Sequence, residues 1–455
     1  MEILSSAIYF IIVIGILVAI HEFGHFIAAR MTGMRAEVFS IGMGKRLFGW
    51  NKINGFTLGK LDESIVLGNH TDYRIAIFPI GGYVKISGMI DESFDTDFQS
   101  SEPQPYEFRS KNAFQKIFVL SAGVIMNIIL AITVFGGIAY FQGKSEFSTT
   151  TIGRIDSNSI MEKTDLMPGD KVLTVNDRKI TSWSEFIDNI TLKDFGKQLD
   201  LKVNRQGKEK NIVIDGSYII KALANKQALG ISPGGIDIFI DDVSKGSPAE
   251  KAGLIKSDTI KAINGNEINT LTAMQDNLQN YKSKPVFVEW KRGSQLMNDT
   301  IITNEAGMLG IRLGFGPIVN VDYSFFESVI IGFEESYNSF KLLIQSIKQI
   351  FVGNLSFKET IGGPIMIMDM AGEQAGRGLV SFLNFLALLS ISLAFMNILP
   401  FPALDGGHIV FALLEGILGK EVPVKVKMAF QQGGVFLLLL FMVFVLFNDV
   451  TRILK

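Results

Sequence analysis

Four stretches of the chain carry no charged residue: Ile3–Ile20, Ile117–Gly143, Gly378–Leu404 and Met428–Asn448, of 18, 27, 27 and 21 residues. A helix rises 1.5 Å per residue and needs about 20 residues to cross the hydrocarbon core, so each stretch is a candidate transmembrane span. All 88 charges, 43 basic and 45 acidic, fall in the remaining 362 residues. That remainder is about 24% charged, close to the roughly 25% of ordinary soluble protein. A single soluble domain is excluded, and so is a compact transporter with little outside the bilayer. The pattern predicts four spans and a large soluble insert.

Nothing basic precedes the first run and no small-residue cleavage site follows it before His21, so it reads as a retained span rather than a signal peptide. Eleven Lys and Arg lie between His21 and Lys116, against none before the first span. Excess positive charge beside a span marks the cytoplasmic side. Alternation then puts Lys144–Arg377 outside, Asp405–Lys427 inside and the C-terminus outside. Phe325–Phe351 is apolar, but five charges interrupt it (Glu327, Glu334, Glu335, Lys341, Lys348). It is expected to be an amphipathic helix on the membrane surface or packed on the domain.

The insert repeats itself at an offset of 88 residues. Leu166, Asp170, Val172, Val175, Asn176 and Ile180 recur as Leu254, Asp258, Ile260, Ile263, Asn264 and Ile268, and both copies close on Leu-Gly-Ile, at 229–231 and 309–311. Asp170–Asp177 and Asp258–Gly265 read as a strand entering a tight turn, with helical stretches following near Ser184–Ile190 and Leu271–Leu278. Each copy resembles a bacterial PDZ domain, the second more closely, through Ser247-Pro-Ala-Glu-Lys-Ala-Gly-Leu254. That resemblance implies either peptide C-termini bound by strand addition or a bare steric filter.

With a net charge of -2 the chain has no basic footprint for nucleic acid, and with no cysteine a zinc site would draw on His, Asp or Glu. His21-Glu22-Phe23-Gly24-His25 ends the first span. Its histidines, at i and i+4, share one helix face and can reach one metal ion, while Glu22 lies about 100° around the helix, placed to take a proton from water. The alternative, histidines anchoring a span at the interface, leaves a glutamate at membrane depth unexplained. A third ligand is needed, and Asp405 ends the third uncharged run. The first and third spans run the same way, so His25 and Asp405 meet at one face of the bilayer. Pro400 and Pro402 break the helix there, and Gly406-Gly407 permits a tight turn. His408 and His70 stand outside any ligand spacing.

HEFGH on a first span, Leu404-Asp405-Gly406-Gly407 after a third and tandem PDZ-like modules between the second and third spans resemble the site-2 protease family of intramembrane zinc metalloproteases (M50), in its bacterial sigma-E-regulating branch. The resemblance implies one zinc ion held by His21, His25 and Asp405, Glu22 as general base, and Asn397 contacting the substrate backbone or the oxyanion. It implies cleavage of single-span substrates already shortened by another protease, such as an anti-sigma factor or remnant signal peptides, in a bacterial inner membrane. Its membrane-reentrant β-structure matches Tyr73–Ile86, where Tyr73, Gly81, Gly82 and Tyr83 are candidates to hold an unwound substrate; periodicity alone supports a hairpin turning at Gly81-Gly82. Ala122-Gly123-Val124 lacks the family's proline, which removes the reason to expect a bend there. Asn127 reads as a polar residue joining helices or as part of the site.

The expected fold is an α-helical membrane protein with four transmembrane helices, a membrane-associated β-hairpin or sheet and two tandem extracytoplasmic PDZ-like domains. The divisions are 1–31 (first span, HExxH), 32–112 (cytoplasmic or reentrant β region), 113–143 (second span), 144–230 and 231–318 (PDZ-like), 319–377 (amphipathic helix and glycine-rich linker), 378–404 (third span), 405–427 (loop), 428–448 (fourth span) and 449–455 (tail). The competing functions are a catalytically inactive membrane-anchored PDZ scaffold and, ranking last, a metal transporter, for which the spans offer few polar residues.

Overall fold

The computed structural model describes the chain except residues 1, 63–64, 66, 90–101, 158, 225–228, 269–273, 275–276, 279, 317, 361 and 454–455. Most of the helical stretch expected at Leu271–Leu278 lies outside the described residues. The chain divides into two compact units, one comprising residues 1–141, 323–343 and 357–455, the other 142–322 and 344–356.

Four helices of the first unit are long and apolar enough to cross a membrane: α1 (Glu2–Met31), α2 (Ala113–Gln142), α5 (Leu379–Ile398) and α7 (Val424–Ile453). Between them come α3 (Phe325–Val352), α4 (Pro364–Gly376) and α6 (Asp405–Leu418). The protein is thus a multi-pass membrane protein carrying β-sheets. α2 runs unbroken through Val124, where no proline interrupts it. α1 and α2 cross with backbones touching: a Cβ on Gly24 would lie 2.3 Å from the Ala122 carbonyl oxygen.

Two long strands form an interleaved sheet beside α1. β1 (Ala36–Asn51) and β3 (Asp72–Ile86) each bend midway, at Gly42 and Gly44 (φ +87° and +90°) and at Gly81 (φ +86°). These left-handed conformations suit glycine. Residues 38–41 of β1 pair on one side with 82–85 and on the other with 72–75, and β2 (Gly55–Leu58) closes the far edge. The two arms of β3 do not pair with each other, so the hairpin expected at Gly81-Gly82 is corrected: β1 lies between the arms.

α5 ends at Ile398, before Pro400 and Pro402. The chain reverses through Ala403 (φ +68°) and α6 begins at Asp405. Gly406 and Gly407 therefore do not make the turn. They lie in the first helical turn, where Cβ atoms would meet the Leu399 and Phe401 carbonyl oxygens at 2.1 and 2.4 Å. A buried ion cluster ties three helices together: Glu415 of α6 accepts from Lys116 of α2 (3.2 Å) and from Lys427 of α7. α4 packs on α1, with Ala371 in a core with Val13 and Leu17. Its N-terminal amides at Gly363, Ile365 and Met366 donate to the buried Asp449 carboxylate, a helix-capping arrangement that occupies the glycine-rich stretch. In this unit α3 packs across α2 and α5, through Gly332 on Ile132 and Phe340 on Phe395.

In the second unit, strands 171–175, 178–179, 199–205 and 208–214 form one sheet, and 259–263, 266–267, 285–292 and 295–302 pair in the same order in another. Each sheet covers its own core, around Phe186 and Leu199 in the first and Trp290 and Ile263 in the second. Arg205 clamps Asp170 through two hydrogen bonds (2.6 and 2.7 Å) and the Asp165 carbonyl (2.7 Å). Arg292 repeats the clamp on Asp258 and the Gly253 carbonyl, each bond 2.7 Å.

Candidate active site

α1 presents His21 and His25 on one face, both buried, at 7% and 9% exposure. The chain reversal after α5 brings Asp405 to them. Asp405 Oδ2 lies 3.0 Å from His21 Nε2 and 3.4 Å from His25 Nε2, and the two Nε2 atoms are 3.2 Å apart. This is the one cluster of three His, Asp or Glu side chains with metal-ligand spacing among the described residues. His408 and His70 are not part of it.

α2 shapes the space around these groups. His25 Nδ1 donates to the Val119 carbonyl (2.8 Å), so in the neutral imidazole the Nε2 lone pair faces Asp405. His21 Nδ1 faces the Asn127 side-chain amide at 3.1 Å. Between them Gly123 leaves a gap, since a Cβ there would stand 2.5 Å from His25 Nε2 and 2.8 Å from His21 Nε2.

A zinc ion fits this set. Donors held about 2.0–2.1 Å from one tetrahedral zinc stand about 3.3 Å apart, which is the spacing of the three atoms here. Asp405 Oδ2 is buried without a hydrogen-bond donor, and the neutral ring of His25, with its proton on Nδ1, offers an Nε2 lone pair 3.4 Å away, so a cation is the partner that satisfies both.

These groups open on a cavity of about 440 Å³, whose wall includes Glu22, Met43, Gly81, Gly82, Tyr83 and Asn397. Glu22 accepts a hydrogen bond from the Val84 backbone, and Gly82 packs so tightly on α1 that a Cβ would lie 2.9 Å from Val18 and 3.5 Å from Glu22 Cγ. Asn397 Nδ2 is 3.5 Å from His21 Nε2. The strand bends thus deliver Gly81, Gly82 and Tyr83 to the cavity. They do not deliver Tyr73, which packs among Phe26, Phe39 and Trp50 on the other arm of β3. His408 lines both this cavity and an adjoining one of about 290 Å³ whose lining includes Lys116, Glu415 and Lys427. Gly123, Val119 and Val84 were not singled out from sequence for this site. The same span also carries Gly136 and Gly137, so glycine alone gives no signal for Gly123.

Comparison with known proteins agrees with this geometry. The profile of peptidase family M50 matches residues 9–441. A Neisseria meningitidis protein named as a zinc metalloprotease is 31% identical over 99% of this chain and all of its own length. Regulators of sigma-E protease from Haemophilus influenzae and Salmonella typhimurium (the latter named RseP) are 31% and 29% identical, with both chains covered in full. The chain belongs to peptidase family M50. It is a zinc metalloprotease.

Proposed function

We propose that this protein is an intramembrane endopeptidase that cuts single-span membrane substrates near the cytoplasmic face of a bacterial inner membrane, as a step of regulated intramembrane proteolysis. The observation that carries this reading is the meeting of His21, His25 and Asp405 at the ends of apolar helices, with Glu22 on the same cavity wall. His21, His25 and Asp405 would hold zinc, which when bound lowers the pKa of water toward about 7 and polarises a carbonyl. Glu22 takes the proton of the attacking water and passes it to the leaving amine nitrogen. The Asn397 side-chain N–H donates to the carbonyl oxygen as it gains negative charge.

A transmembrane substrate hides its carbonyls in i to i+4 hydrogen bonds and must unwind before attack. Residues 82–86 have a β1 partner on one side only among the described residues and border the cavity. An unwound substrate segment adds to that edge as a further strand, with Gly81, Gly82 and Tyr83 against it. The sigma-E-regulating names of the relatives support an anti-sigma factor as substrate. In this reading both termini and the tandem PDZ-like modules are periplasmic, and the modules exclude substrates whose outer domains have not been removed.

Glu22→Gln keeps the three proposed ligands and should retain zinc while losing cleavage of a synthetic transmembrane peptide by 10³-fold or more. Cleavage at the wild-type rate in that variant would overturn the assignment. An inactive PDZ scaffold instead predicts no chelator-sensitive cleavage by the wild-type protein.

A further inference from the structure

His25 has its outer ring nitrogen fixed by the Val119 carbonyl. His21 must meet the same requirement, because a histidine that ligates through Nε2 carries its proton on Nδ1 and needs an acceptor there. The group facing His21 Nδ1 is the Asn127 amide, wholly buried in α2, with Nδ2 at 3.1 Å and an Oδ1 that has no donor. An amide has the same shape when turned by 180°. Turning it presents Oδ1 to the Nδ1–H and gives Oδ1 the donor it lacks.

We infer that Asn127 is a positioning residue of the zinc site: its Oδ1 accepts from His21 Nδ1–H, fixes that tautomer and aims Nε2 at the metal. Val119, Gly123 and Asn127 stand at i, i+4 and i+8 on α2, one stripe of the helix. The stripe supplies an acceptor for His25, a gap for the ion and an acceptor for His21. Asn127 is itself anchored, because Ser390 Oγ of α5 donates to its backbone carbonyl (2.8 Å). The assignment rests on the proposed ligand set and adds a residue to it. Helix joining alone, the plainer role for a buried asparagine, needs only an amide that finds some partner and is indifferent to which atom faces the imidazole.

The test is the zinc dissociation constant of the detergent-purified full chain, by competition with a chelator, for wild type, Asn127→Leu and Asn127→Asp. Removing a hydrogen-bond partner of a ligating histidine costs about 10- to 100-fold in metal affinity, so Asn127→Leu should weaken zinc by that factor. Asn127→Asp keeps an acceptor oxygen and should hold zinc within a few-fold of wild type. An Asn127→Leu affinity equal to wild type overturns the inference. So does an Asn127→Asp protein that loses zinc, which would mean the amide donates; this variant decides the question alone if the leucine variant does not fold. A wild-type chain that binds no zinc overturns the proposed ligand set along with it, whereas wild-type binding with an unaffected leucine variant overturns this inference alone.

Discussion

Gly123 of α2 stands against His25 of α1 so closely that a single added carbon would lie 2.5 Å from the imidazole Nε2. The space a metal ion would take is therefore bounded by the absence of a side chain on a neighbouring helix. Gly123→Ala should displace the imidazoles and lower zinc affinity by at least 10-fold. Equilibrium dialysis against zinc, with circular dichroism to show intact helices, checks it; normal binding would mean that α2 does not bound the site.

Gly82 makes the equivalent demand beside Glu22, the proposed base. A Cβ there would meet the Ser40 carbonyl oxygen at 2.7 Å and crowd Val18 and Glu22. Gly82→Ala should push β3 away from α1 and displace Glu22 relative to the proposed metal ligands. A misplacement of about 1 Å costs on the order of 10²-fold in rate. Peptide cleavage should fall by about that factor while zinc content stays at the wild-type level.

Some of this could be read from the residues and some could not, for physical reasons. Spans declare themselves because a charge in hydrocarbon is expensive wherever it sits, and the i, i+4 histidines because helix geometry is local. The 88-residue offset likewise exposed Asp170 and Asp258 as equivalent positions. What stayed hidden depends on contacts between distant segments. The register that places 38–41 of β1 between two arms of β3 is set by bends at three glycines, and Tyr73–Ile86 alone reads as a simple hairpin. Gly406-Gly407 looks like a turn and is the start of a helix, because its glycines serve close packing against Leu399 and Phe401.

Glu415 is 9% exposed and joins Lys116 and Lys427 across three helices. Removing the carboxylate leaves the buried Lys116 ammonium with only the exposed Glu421 carboxylate at 3.8 Å and takes the partner from the half-buried Lys427. Breaking a buried pair costs on the order of 3 kcal/mol. Glu415→Leu should therefore lower the thermal unfolding midpoint in detergent by several degrees, whereas Glu421→Leu, at the exposed rim, should leave it within a degree.

The carboxyl of Asp170 is subject to two opposed effects. Burial raises its pKa, but the two hydrogen bonds from Arg205, with that from the Met167 amide, outweigh this and hold it below the ordinary 3.8. A carboxylate with a depressed folded pKa stabilises the fold fully above its unfolded value and loses that contribution as pH falls through the folded one. Arg205→Met should move acid unfolding of the first sheet to higher pH, read by the fluorescence of the buried Trp183 between pH 5 and pH 2. An unshifted midpoint would mean the clamp contributes nothing.

The central claim is that His21, His25 and Asp405 hold one zinc ion. Zinc quantification on the purified chain tests it most directly, comparing wild type with Asp405→Ala. The account predicts one zinc per wild-type chain and less than about a tenth of that in the variant, since loss of one of three protein ligands opens a second position to water. A full complement of zinc in Asp405→Ala, or none in the wild type, would contradict it.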